Sequence, residues 1–178
     1  MKRVVFPILS LMIPMLVSLN NSATPGTANG SSSGTVVMAI TVTAAQSLIF
    51  GNVLQGVPKT IDNDVDDSSG IFEITGEDLA GVSLQLTLPE YLAITDNSDR
   101  MTVAFNSSIC TIDSAATSPG GSVQGWINVD PRNLPDANIG AANSKTNVYI
   151  GGKVIPSPQQ KPGNYSGDIV LSVGYNGS

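Results

Sequence analysis

The chain has 178 residues, with 8 basic and 14 acidic side chains, one cysteine and no histidine. The lack of histidine excludes Ser-His-Asp and Cys-His nucleophilic systems, and with them histidine-ligated zinc or copper. A formal net charge of −6 without any basic cluster excludes a phosphate-neutralising surface, so nucleic acid is not an expected partner.

The first 23 residues read as a signal peptide. Lys2 and Arg3 form a positive start, residues 4–19 are apolar, and the small polar run Asn20-Asn21-Ser22-Ala23 follows. The apolar run is shorter than the roughly 20 residues of a spanning helix and carries Pro7 and Pro14, so removal is expected rather than anchoring. Cleavage is placed near Ala23, with Ala28 as the alternative. Removal takes away Lys2 and Arg3 and leaves 6 basic against 14 acidic residues, a net charge of −8. That charge disfavours anionic membranes and favours solubility. The sequence therefore predicts an exported chain, extracellular or on the cell surface, with the periplasm as a place of transit. No integral membrane segment remains after processing.

Residues 24–35 contain no core-forming side chain and read as a flexible tether. Residues 36–178 are long enough for one domain with one core. Aromatics are 5% and charged residues 12% of the chain, and Gly, Ser, Thr, Asn and Val are plentiful, which favours short strands and turns over helices. The first strand is expected over 36–43, where Val36, Met38, Ile40 and Val42 share one face. Further strands are expected over 48–54, 70–75, 82–88, 101–105 continuing into 108–112, 122–129, 148–155 and 168–175. Pro89 stops the strand over 82–88 because proline cannot donate to a ladder. Residues 60–69 read as an acidic loop, and 130–144 as a long surface connection. Pro162-Gly163 is a turn dipeptide before the closing strand, in which Ile169, Leu171, Val173 and Tyr175 alternate with Val170, Ser172 and Gly174.

Several residue groups invite a chemical reading. Asp62, Asp64 and Asp66 alternate, and Glu73 is twelfth counting from Asp62, the carboxylate spacing of a calcium loop. Asp67 stands at the sixth position, where that loop needs glycine, and the flanks read as strands. The expectation is therefore a solvated charged loop and no cofactor, with calcium as the sharper alternative. Glu73, Glu77, Asp78 and Glu90 are read as solvated strand-end charges rather than a glycosidase pair, which only their separation would support. Lys145, Lys153 and Lys161 lack the positioned partner that a Ser-Lys nucleophile needs. Cys110 is expected as a buried inert thiol, an intermolecular disulfide being the alternative. Trp126 and Tyr149 are candidates for a sugar-stacking platform, but a lone tryptophan in an alternating strand is expected in the core. No catalytic residue is assigned, and the chain is not read as an enzyme.

The C-terminal stretch YIGGKVIPSPQQKPGNYSGDIVLSVGY resembles the end of the bacterial family called domain of unknown function 4402. The matching residues are Gly151, Gly152, Val154, Gln159 or Gln160, Gly163, Tyr165, Gly167, Val173 and Tyr175. LIFGNVLQG (48–56) and FEITGEDLAGVSLQLTLPE (72–90) resemble that family's earlier motifs, in the same order. The resemblance implies an exported immunoglobulin-like β-sandwich, similar in its last strand to pilin domains, and implies no established activity. Period-two strands separated by turn signals point independently to an all-β sandwich of about seven to nine strands. The function expected is a structural or adhesive surface protein, a pilus-like filament (fimbrium) or surface-layer subunit assembling by strand complementation through 36–43. The alternative is an extracellular module that binds a glycan or another protein.

Overall fold

The computed structural model describes residues 30–116, 118–141 and 143–177. The expected signal peptide lies outside the described residues, as does the start of the tether. Residues 36–178 form one compact unit. Its described part contains no helix and thirteen strands, all pairings antiparallel.

One layer is a five-stranded sheet in the order β1 (Thr41–Gln46), β3 (Gly70–Thr75), β10 (Lys145–Ile150), β7 (Cys110–Asp113), β8 (Gly125–Val129). A second five-stranded sheet has the order β12 (Tyr165–Ser166), β5 (Tyr91–Ile94), β6 (Arg100–Ala104), β11 (Gly152–Ile155), β2 (Lys59–Ile61). A third runs β13 (Val170–Tyr175), β4 (Gly81–Thr87), β9 (Ala137–Asn138). β4 leads directly into β5, and β12 into β13. β12 pairs with β5 and β13 with β4, so the second and third sheets run on as one bent layer.

The core lies between the layers. Phe72, Ile74, Ile112, Val148 and Ile150 come from the first. Val82, Leu84, Leu86, Met101, Val103, Val154 and Leu171 come from the second. The alternation in the sequence explains the choice: β4 is buried at Val82, Leu84 and Leu86 and exposed at Ser83, Gln85 and Thr87. Burying each fully enclosed aliphatic side chain contributes about 1.5–3 kcal/mol.

The strands differ from the expected ones in ways that the packing accounts for. Residues 148–155 are two strands, broken at Gly151 where the chain crosses from one layer to the other. A Cβ there would lie 2.3 Å from Ile61 O, so only glycine lets the two backbones meet. Residues 48–54 form no strand: Leu48, Phe50 and Val53 pack on the core from irregular backbone, and β2 follows instead. The first strand begins at Thr41 rather than 36, because β3, its only partner, ends at Thr75 opposite Thr41. β5, β9 and β12 were not expected; they are two to four residues long, too short for any period to register. β8 covers only the second half of 122–129.

Candidate functional site

The acidic loop does not gather its carboxylates. Glu73 lies on β3 and pairs with Lys145 Nζ at 2.9 Å. Asp67 takes a left-handed φ of 64°, the conformation that the glycine of a calcium loop would supply, and aspartate tolerates it. Among the described residues no three acidic, cysteine or histidine side chains converge as metal ligands. Asp62, Asp64, Asp66 and Asp67 are exposed, and two polar neighbours are buried. Asn63 is buried and donates to Thr111 Oγ1 at 2.8 Å, and Ser69 is buried.

The remaining carboxylates are engaged separately. Asp78 accepts from Ser144 Oγ, and Glu77 Oε2 accepts from Met38 N at 3.0 Å. Lys161 Nζ donates to Ser98 Oγ at 3.2 Å. Cys110 is buried on β7, and burial pushes its thiol pKa up to about 12, so it is a thiol and not a thiolate at neutral pH. Tyr149 is buried, whereas Trp126 is 50% exposed, which corrects its assignment to the core. The cause is position: β8 is an edge strand, and Trp126 Nε1 donates outward to Asp136 O at 3.1 Å. One strand, β7, separates the pair in the sheet order, and they form no platform.

The densest polar cluster was not assigned from sequence. Asp99 Oδ2 accepts from Tyr165 Oη at 2.6 Å, Gln160 Nε2 at 2.7 Å and Lys161 N at 2.8 Å. Arg100 N donates to its other oxygen at 2.9 Å. The Tyr165 hydroxyl, followed by the Lys161 amide, holds the Asp99 pKa down to about 2, against partial desolvation. Desolvation, then Asp99, pushes the Tyr165 phenol up, so it stays the donor. Gln160 Nε2 also donates to Tyr165 Oη at 2.9 Å. This knot ties the 156–164 connection to the β5–β6 turn. The Gln and Tyr of the closing motif are thus structural, and the missing signal was Asp99, more than 60 residues away.

A second cluster joins the chain ends. Tyr175 Oη donates to Met38 O at 2.7 Å and accepts from Glu77 N at 2.8 Å. With the bond from Met38 N to Glu77, this closes a ring that docks the segment before β1 on the last strand.

No family model matches the chain, and no curated protein does either. The function is therefore argued from these residues. An open groove of about 470 Å³ lies between 83–86, 172–174 and 132–134. Among its described lining residues Arg132 alone is ionisable, and its Nη1 donates to Phe105 O.

The four residues grouped as an intersubunit strand divide. Val42 lies on β1, paired opposite Ile74 of its own chain. Ile40 packs on the core cluster. Val36 and Met38 are exposed, Val36 almost completely at 98%.

Proposed function

We propose that this chain is an exported, non-enzymatic structural or adhesive protein of the bacterial surface. After loss of residues 1–23 it is an immunoglobulin-like sandwich whose copies associate strand to strand through residues 36–43, building a filament or surface layer. The observation that supports this is the state of that strand. Residues 36–43 are exposed at all positions except Ile40, and β1 is a sheet edge with β3 as its one partner. The stretch 30–58 contains no charged residue, so an otherwise acidic molecule can present it to a copy without like-charge repulsion. The resemblance of the closing motif to pilin-type domains agrees with this reading.

Electron microscopy of material sheared from cells, with intact mass, tests it. Filaments whose subunit begins at Thr24 or a few residues later are expected, and they should vanish when 24–43 is deleted. A chain that keeps Lys2 and Arg3, or that stays monomeric at high concentration with residues 36–43 protected from exchange, refutes it. The second reading, a binding module, has one observation in its favour: Trp126 and Ile127 are both exposed on the β8 edge. Glycan binding lost in Trp126→Ala but retained in the 24–43 deletion would favour it.

A further inference from the structure

The six sheet edges among the described residues are not equivalent. β2 has three residues and follows Pro58, and β9 and β12 have two residues each. β8 pairs through a bulge and carries Asn128 at a left-handed φ of 55°. β1 is bulged between Ala44 and Gln46. Shortness, proline and bulges are the usual means of blunting an edge. β13 has none of them. It runs six residues in unbroken register with β4, and 169–178 contains no charge and no proline.

The ladder fixes which groups β13 leaves open. Asn176 N donates to Gly81 O on the β4 side. Residues alternate along an antiparallel strand, so Gly174, Ser172 and Val170 also bond to β4. The N–H and C=O groups of Leu171, Val173 and Tyr175 therefore point to the free edge, at a repeat of roughly 6.8 Å. No described residue bonds to them.

The other layer reaches further. Val42 and Ala44 of β1 stand on the core side, opposite Ile74 and Phe72, yet Val42 is 37% exposed and Ala44 is exposed. The facing layer meets β1 at β13 and leaves both side chains exposed. A strand added to the free edge of β13 would lie on this side of the core.

We infer that residues 36–40 of a second copy occupy this position, added as a strand to the free edge of β13. This rests on the proposed self-association and names its acceptor. The segment fits the place on three counts. Val36, Met38 and Ile40 share one face and would cover the exposed Val42 and Ala44. Donor and acceptor are both free of charge, in molecules that are otherwise acidic. The chain also seats its own Met38 at the end of β13, through the Tyr175 hydroxyl. That ring is the closed, monomeric alternative. Opening it frees the donor of a molecule whose β13 edge is already open, and such head-to-tail contacts run on as a filament.

The test uses the exported chain and four single variants. Val173→Pro removes one outward N–H, which an edge strand tolerates. Gly174→Lys adds a charge where a side chain meets nothing within 4 Å. Chains carrying Val37→Cys and Ser172→Cys are mixed and oxidised. Both edge variants should keep the native circular dichroism and lose assembly by about tenfold or more. The mixed cysteine chains should cross-link between copies. If the parent assembles, and both folded edge variants assemble as well without cross-linking, the acceptor is wrong while the proposed self-association stands. Should Val173→Pro fail to fold, Gly174→Lys decides. Should the parent stay monomeric, a labelled 35–41 peptide decides: binding abolished by Gly174→Lys supports the edge, and no binding overturns it.

Discussion

The Gly151-Gly152 pair allows a quantitative comparison, because two neighbouring glycines face different materials. An added methyl on Gly151 would lie 2.3 Å from Ile61 O and 2.8 Å from Asn63 N, both backbone atoms. Ordinary contact begins at 3.4 Å, so the facing chain must retreat by about 1 Å. That chain is tied down, since Asn63 is bonded to Thr111, and Gly151 N itself donates to Ile109 O at 2.9 Å. A methyl on Gly152 would instead meet side-chain tips, Leu48 Cδ2 at 3.1 Å and the Phe105 and Phe50 rings at 3.2 Å. These can give by a few tenths of an ångström. Overpacking costs about 1–3 kcal/mol, and backbone resistance puts Gly151→Ala at about 3 and Gly152→Ala at about 1. With a urea m-value of about 2 kcal/mol/M, the midpoints should fall by about 1.5 M and about 0.5 M, at unchanged m. Equilibrium urea unfolding followed by far-ultraviolet circular dichroism measures both. Equal losses, or a larger loss in Gly152→Ala, would refute the view that the corner is held by backbone contact.

The Asp99 knot should be visible in acid. The Asp99 pKa is lowered from an ordinary 3.8 to about 2, so its contribution is complete above 3.8 and is lost as pH falls towards 2. Asp99→Asn should therefore be less stable at pH 6 and flatter between pH 4 and pH 2; urea midpoints at a series of pH values check this. Cys110 should resist iodoacetamide in the native protein and react fully in denaturant, read by mass; labelling without unfolding would mean that β7 opens. Thermal midpoints with calcium and with chelator should agree, and a large upward shift with calcium would show a native-state site in the 62–73 segment. Tyr175→Phe removes the donor to Met38 O and the acceptor of Glu77 N, a cost of about 1 kcal/mol. Hydrogen exchange should speed up at 36–40 and not in β4.

Much of the all-β character was legible in local pattern. β3, β4, β6 and β13 match their expected ranges within a residue or two, because each is buried on one face and alternation records that directly. The burial of Cys110 followed from residue type and strand context. The break at Gly151 was not legible, since a glycine pair inside an apolar run reads equally as one strand or as a corner. What decides is the Ile61–Asn63 backbone, nearly 90 residues earlier in the chain. Trp126 was misjudged for a related reason: the alternation of 122–129 gives a strand but not its place at the sheet edge. The role of Tyr165 and Gln160 depended on Asp99, whose sequence context is an unremarkable turn. The N-terminal strand illustrates the division most clearly. Its period, its lack of charge and its apolar face are local properties of residues 36–43. Its pairing with β3, the ring through Tyr175 and the open edge of β13 are long-range contacts. They arise from the order of strands in the sheets, which no local period encodes.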